Sequence, residues 1–176
     1  MSLREDPQAG VDVDGTAADS APSILWPGRV MLVCSSGGHL AQLYRLEAWW
    51  RPRQRRWVTF DTADALSLLD GEDAVWAHRP TTRNVPNLLR NLLLAIRQVP
   101  RYRPDVIVSD GAGVAFPFFL IGRALGVRCV YLEVLDRIDS RTVTGRLCAP
   151  LSHLFLVQHP DQQKLYPGSQ IVGEVL

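Results

Sequence analysis

The feature that most constrains this chain is a repeated switch between two periodicities. Short β-branched and apolar runs alternate with longer stretches of helical spacing. The first run, 29–36 (RVMLVCSS), is apolar without alternation through Cys34, as in a strand buried on both faces. The stretch 39–50 follows, with Leu40, Leu43, Leu46 and Trp50 on one helical stripe. The same reading predicts strands at 57–60, 74–78, 105–110, 128–133, 153–158 and 170–175. Between them it predicts helices at 62–71, 84–104, 114–126 and 141–152. Strands alternating with helices imply an α/β fold: a Rossmann-like parallel sheet with helices on both faces.

The 176 residues suit one domain, and 47% apolar content is enough for a core. Residues 1–28 hold almost no bulky apolar side chain before Ile24, so a disordered N-terminal tail is expected ahead of a single domain at 29–176. The tail lacks the apolar segment of a signal peptide, and no apolar run reaches about 18 residues, the length of a membrane span. A net charge of +1 argues against a nucleic-acid partner. Cys34, Cys129 and Cys148 form no CxxC pair and the histidines form no HxxxH, so reduced buried thiols and no metal site are expected.

In such sheets ligands bind beyond the carboxyl ends of the strands. Three loops therefore stand out. The first, Ser35-Ser36-Gly37-Gly38-His39, opens a helix. Its glycines permit close backbone approach, and the N–H groups of a helix start attract anions. It is neither GxGxxG nor a P-loop, and a plain tight turn explains its composition equally well. The second is Asp110-Gly111-Ala112-Gly113; Asp110 faces the expected cleft or caps the next helix. The third begins at Glu133 and carries Asp136, Arg137 and Asp139. Glu133 at the rim of a buried strand suits a sugar hydroxyl or a histidine partner, and a solvated, ion-paired loop is the alternative.

The segments SSGGHLAQL (35–43), YRPDVIVSDGAGVAFPFFLIGRALG (102–126), VYLEVLDRIDSRTVTGRL (130–147) and LFLVQHP (154–160) occur in family order. Together they resemble the acceptor-side, membrane-anchoring subunit of two-component UDP-GlcNAc transferases and bacterial relatives in capsule and exopolysaccharide synthesis. A more distant similarity is to the N-terminal half of the peptidoglycan GlcNAc transferase. The resemblance implies one half of a GT-B glycosyltransferase, the acceptor half, with the donor-binding C-terminal-type half on a partner chain. It implies an inverting transfer without a cofactor from a UDP-sugar (GlcNAc, Gal or GlcA type) to a polyprenyl-pyrophosphate-linked saccharide. The work would be done in the cytoplasm at the inner face of the plasma membrane.

Carried onto this sequence, the substrate-binding positions are Ser35, Ser36, Gly37, Gly38, Asp110, Gly111, Ala112, Gly113 and Arg137. His39 is the expected base, because an imidazole titrates near working pH, and Glu133 is the second choice. Many relatives carry Asn at position 110 and Ser at 134. A non-catalytic subunit that recruits and activates the donor chain is the alternative. Eukaryotic members begin with a membrane anchor where this chain has its polar tail. Residues 86–103, apolar with Arg83, Arg90, Arg97, Arg101 and Arg103 on and around them, are then the candidate membrane contact. Packing of that same stripe against the sheet is the alternative.

Overall fold

A computed structural model describes residues 28–135 and 138–173. Residues 1–27 of the expected 1–28 tail, Asp136, Arg137 and residues 174–176 lie outside the described residues. Among the described residues seven strands form one sheet: β1 (Val30–Val33), β2 (Arg55–Thr59), β3 (Ala74–Trp76), β4 (Val106–Ser109), β5 (Arg128–Leu132), β6 (Leu154–Val157) and β7 (Gln170–Ile171). Their order is β3-β2-β1-β4-β5-β6-β7, and every pairing is parallel. The expected α/β fold is what forms.

The strands read as unbroken apolar runs because both faces are covered. On one face Leu40 and Leu43 of α1 (Gly38–Arg45), Trp50 of α2 (Glu47–Trp50) and Ala65 of α3 (Ala63–Leu68) pack on Leu32, Trp57 and Val108. Trp50 and Trp57 meet edge-on with centroids 5.4 Å apart, and the Trp50 indole N–H donates to Leu43 O at 3.1 Å. The predicted single helix at 39–50 is thus two, broken at Leu46. On the other face Ala95 and Val99 of α4 (Val85–Tyr102), Phe118 and Phe119 of α5 (Ala115–Ala124) and Cys148 of α6 (Val143–Cys148) pack on Met31, Ile107 and Tyr131. A 3₁₀ turn, Ala149–Leu151, continues α6. A further helix, α7 (Pro160–Leu165), has no counterpart in the sequence-based reading. His159 caps it by accepting from Asp161 N, and Pro160 occupies its first turn, where a missing N–H costs nothing.

Helix α4 settles which way its apolar stripe points. Asn87, Asn91, Ala95 and Val99 form the buried face. Leu89, Leu93 and Ile96 are 46–55% exposed, and Val85 is 64% exposed. The polar face is inside because its amides have work there. Asn91 exchanges two hydrogen bonds with the His78 backbone, accepting from N at 2.8 Å and donating to O at 2.9 Å. Asn87 donates to Pro80 O at 2.9 Å, and the Asn84 side chain caps α4 by accepting from Asn87 N. The loop between β3 and α4 is therefore strapped to the helix that follows it.

Candidate functional site

The chain order doubles back between β1 and β4, where β1 is followed by β2 on one side while β4 lies on the other. At this switch point the loops after the two strands diverge and leave a crevice. An open groove of about 1490 Å³ runs there, lined by all three of the predicted loops and by the β3–α4 loop.

His39 is the second residue of α1, and Asp110 directly follows β4. His39 Nδ1 lies 3.2 Å from Asp110 Oδ2, with the imidazole 28% exposed and the carboxylate fully buried. Burial pushes the Asp110 carboxyl up to about 6, and contact with His39 pulls against that rise. The carboxylate stands at the ring nitrogen, in position to orient the imidazole. Gly111 makes the pairing sterically possible. Its φ of +123° excludes most side chains, and a Cβ there would stand 2.9 Å from the Tyr131 hydroxyl and 3.3 Å from His39 Cε1. Asp110 is thus a partner of the histidine and not a helix cap; α5 has no side-chain cap.

The glycine loops have less anion-binding capacity than composition suggests. The Gly37 N–H donates to Asp64 Oδ2 at 3.0 Å, and the Gly111 N–H donates to Ser109 Oγ at 3.1 Å. What Gly37 and Gly38 supply is space: a Cβ on either would meet nothing within 4 Å. Gly113 has a packing role, because a Cβ there would come within 2.9 Å of Thr81 Cβ. Ser35, Ser36 and Ala112 line the groove, half-buried. Arg137 lies outside the described residues.

Glu133 reaches the groove wall but is only 1% exposed. Both its oxygens lie 3.2 Å from the Thr142 hydroxyl, which also caps α6 by accepting from Gly145 N. The missing side chain of Gly145 leaves room for the Glu133 carboxylate and the Tyr166 hydroxyl. Gln158 and Gln162 hold the backbone behind it, donating to Glu133 O at 2.9 Å and Val134 O at 2.6 Å. These contacts make Glu133 the tie between β5 and α6.

Residues 74–175 match the family described as "Oligosaccharide biosynthesis protein Alg14 like". The chain belongs to the Alg14 family. Curated Alg14 relatives include the "UDP-N-acetylglucosamine transferase subunit ALG14" of Homo sapiens, 25% identical over 84% of this chain and 82% of that one. The protein of the same name from Debaryomyces hansenii is 26% identical over 86% of this chain and 78% of that one. Among solved structures, MurG of Acinetobacter baumannii superposes with a TM-score of 0.65 at 19% identity, covering 83% of this chain and 44% of that one. The Alg14-type chain thus spans less than half of MurG, and the likeness is one of fold: a Rossmann-like half of a GT-B structure.

Sequence reasoning missed the Asn84, Asn87 and Asn91 strap and the β3–α4 loop it positions. The spacing i, i+3, i+7 on one helical face was the available signal. It also missed Tyr131 and Thr142, which lie beside His39 and Glu133 through contacts between distant loops.

Proposed function

We propose that this chain is the acceptor-binding subunit of a two-component, inverting glycosyltransferase. A separate chain with a donor-binding GT-B half closes the groove and brings a UDP-sugar of the GlcNAc, Gal or GlcA type. The acceptor is a polyprenyl-pyrophosphate-linked saccharide destined for a cell-surface polysaccharide. The observation that carries this reading is the His39–Asp110 pair at an open groove on the switch point of the sheet. The name of the Alg14 relatives, a UDP-N-acetylglucosamine transferase subunit, supports the substrate class and the need for a partner.

In this scheme His39 is the general base. Asp110 holds Nδ1, so Nε2 takes the proton from the acceptor hydroxyl as that oxygen attacks the anomeric carbon. The bond from that carbon to the UDP oxygen breaks on the opposite face, and the configuration inverts. The Asp110 carboxylate stabilises the imidazolium that forms and fixes the ring tautomer, as the acid does in a nucleophile–histidine–acid triad. Glu133 keeps the β5–α6 corner in shape beside the pair.

The outward face of α4 supplies the membrane contact in the same reading. No helix among the described residues is long and apolar enough to cross a membrane. Residues 85–102 contain no acidic residue, and Arg90, Arg97 and Arg101 flank the exposed Val85, Leu89, Leu93 and Ile96. An apolar ridge rimmed by arginines suits the surface of an anionic bilayer on the cytoplasmic side.

The test is co-expression with the candidate donor chain, followed by an assay of sugar transfer from labelled UDP-sugar to membrane lipid. Transfer by the pair and none by either chain alone is expected. A pair that transfers fully with His39→Ala assigns this chain the scaffold role instead.

A further inference from the structure

Among the described charged groups of the groove, Arg79, His39, Asp110 and Glu133 each face a side-chain partner, and Arg83 does not. Arg79 Nε meets Asp61 Oδ1 at 3.0 Å, His39 meets Asp110 at 3.2 Å, and Glu133 accepts from Thr142. Arg83 lines the same groove, is exposed, and has no carboxylate at ion-pair distance among the described residues. Its backbone is left-handed, with φ of 51°, which a residue with a large side chain seldom adopts. The loop that carries it is fixed from behind by Asn84, Asn87 and Asn91. A fixed loop spares the backbone ordering cost of binding an oxyanion, and the planar guanidinium fork fits phosphate oxygens.

The surroundings of Arg83 restrict which anion fits. Val85 and Leu88 of α4 follow it along the groove wall, and Val143 and Leu147 of α6 also line the groove. Val85 and Val143 are 64% and 74% exposed, so apolar surface is available beside the cation. The glycine loop is less inviting to phosphate, because the Asp64 carboxylate already occupies the Gly37 N–H. A nucleotide-sugar diphosphate has polar groups on both sides. A prenyl pyrophosphate has hydrocarbon bonded directly to it, and hydrocarbon is what this wall accommodates.

Resting on the acceptor-subunit reading, we infer that Arg83 binds the pyrophosphate of the lipid-linked acceptor, with the first isoprene units against Val85 and Leu88. The lipid then leaves the groove along the exposed face of α4, which continues from Val85. This places the anion subsite on the β3–α4 loop and leaves the His39 side of the groove to the accepting sugar.

The experiment is titration of the full chain in detergent with geranylgeranyl pyrophosphate, geranylgeraniol and UDP, for wild type, Arg83→Gln and Arg83→Lys. The inference predicts that R83Q binds the pyrophosphate probe about tenfold more weakly or worse, with R83K recovering part of the loss. Geranylgeraniol and UDP affinities should not move. Equal pyrophosphate affinity in wild type and R83Q overturns the role of Arg83 and leaves the acceptor reading standing. A loss confined to UDP assigns the residue to the donor and overturns the inference. Absence of pyrophosphate-probe binding in wild type overturns the inference, while the acceptor reading is decided separately by transfer in the co-expressed pair. Thermal melting of each variant checks the fold; if R83Q melts early, the comparison of R83K with wild type for the two phosphorylated probes decides.

Discussion

Asp110 Oδ2 lies 3.2 Å from His39 Nδ1 with no part of the carboxylate open to solvent. Burial holds its carboxyl at about 6, against an ordinary 3.8. The unfolded chain loses this proton first as pH rises. Between the two values the folded state therefore binds the more protons, and stability falls with rising pH. The contribution is complete below about 3.8 and lost above about 6. Two units correspond to roughly 3 kcal/mol at most. Asp110→Asn should gain stability relative to wild type on going from pH 4 to pH 7, measured by urea denaturation at both. A difference that does not change with pH would show that burial of the charge carries no cost.

Asn91 should be the most sensitive position on α4. It is fully buried, and its amide satisfies both backbone groups of His78. Asn91→Ala leaves that N–H and C=O without these partners and should cost about 2–4 kcal/mol. Hydrogen exchange at 78–84 should rise beyond what the global loss explains.

The outward leucines should behave oppositely. Leu89→Gln with Leu93→Gln should leave folding stability within about 0.5 kcal/mol per site, since both are more than half exposed. The same change should abolish or strongly weaken sedimentation with anionic vesicles. Arg97→Gln and Arg101→Gln should each reduce that binding by about 1 kcal/mol at low salt, an effect that fades as salt rises. Unaltered vesicle binding by the double leucine variant would remove α4 from the membrane contact.

Glu133 should prove structural. Gly145→Ala drives a methyl group into the Glu133 carboxylate, the Tyr166 hydroxyl and Thr142 Oγ1 and should cost about 1–3 kcal/mol or more. Glu133→Gln keeps the volume and should lower stability while retaining turnover within about an order of magnitude. A far larger loss of turnover, with the melting temperature unchanged, would make Glu133 a catalytic group.

The sheet was legible because strands covered on both faces must be apolar throughout, as at Met31, Leu32 and Val33. The switch-point rule then pointed to the loops of His39 and Asp110, which line the groove. Their contact was not legible: it spans 71 positions and depends on the space left at Gly111. The orientation of α4 was ambiguous for a physical reason. A leucine stripe looks like a core face, yet Asn87 and Asn91 are buried because they bond the loop before the helix, while Leu89 and Leu93 are left outside. The anion-binding reading of Gly37 likewise could not anticipate Asp64, whose carboxylate arrives from α3.

The most direct test is a double-mutant cycle at His39 and Asp110 in the reconstituted pair, read as turnover with saturating UDP-sugar and lipid acceptor. General-base catalysis predicts that His39→Asn loses roughly 10²–10⁴-fold. Asp110→Asn should lose less, and the double variant should fall no further than His39→Asn alone, because Asp110 acts only through the ring. Wild-type turnover in His39→Asn, or losses that simply multiply, would contradict the account.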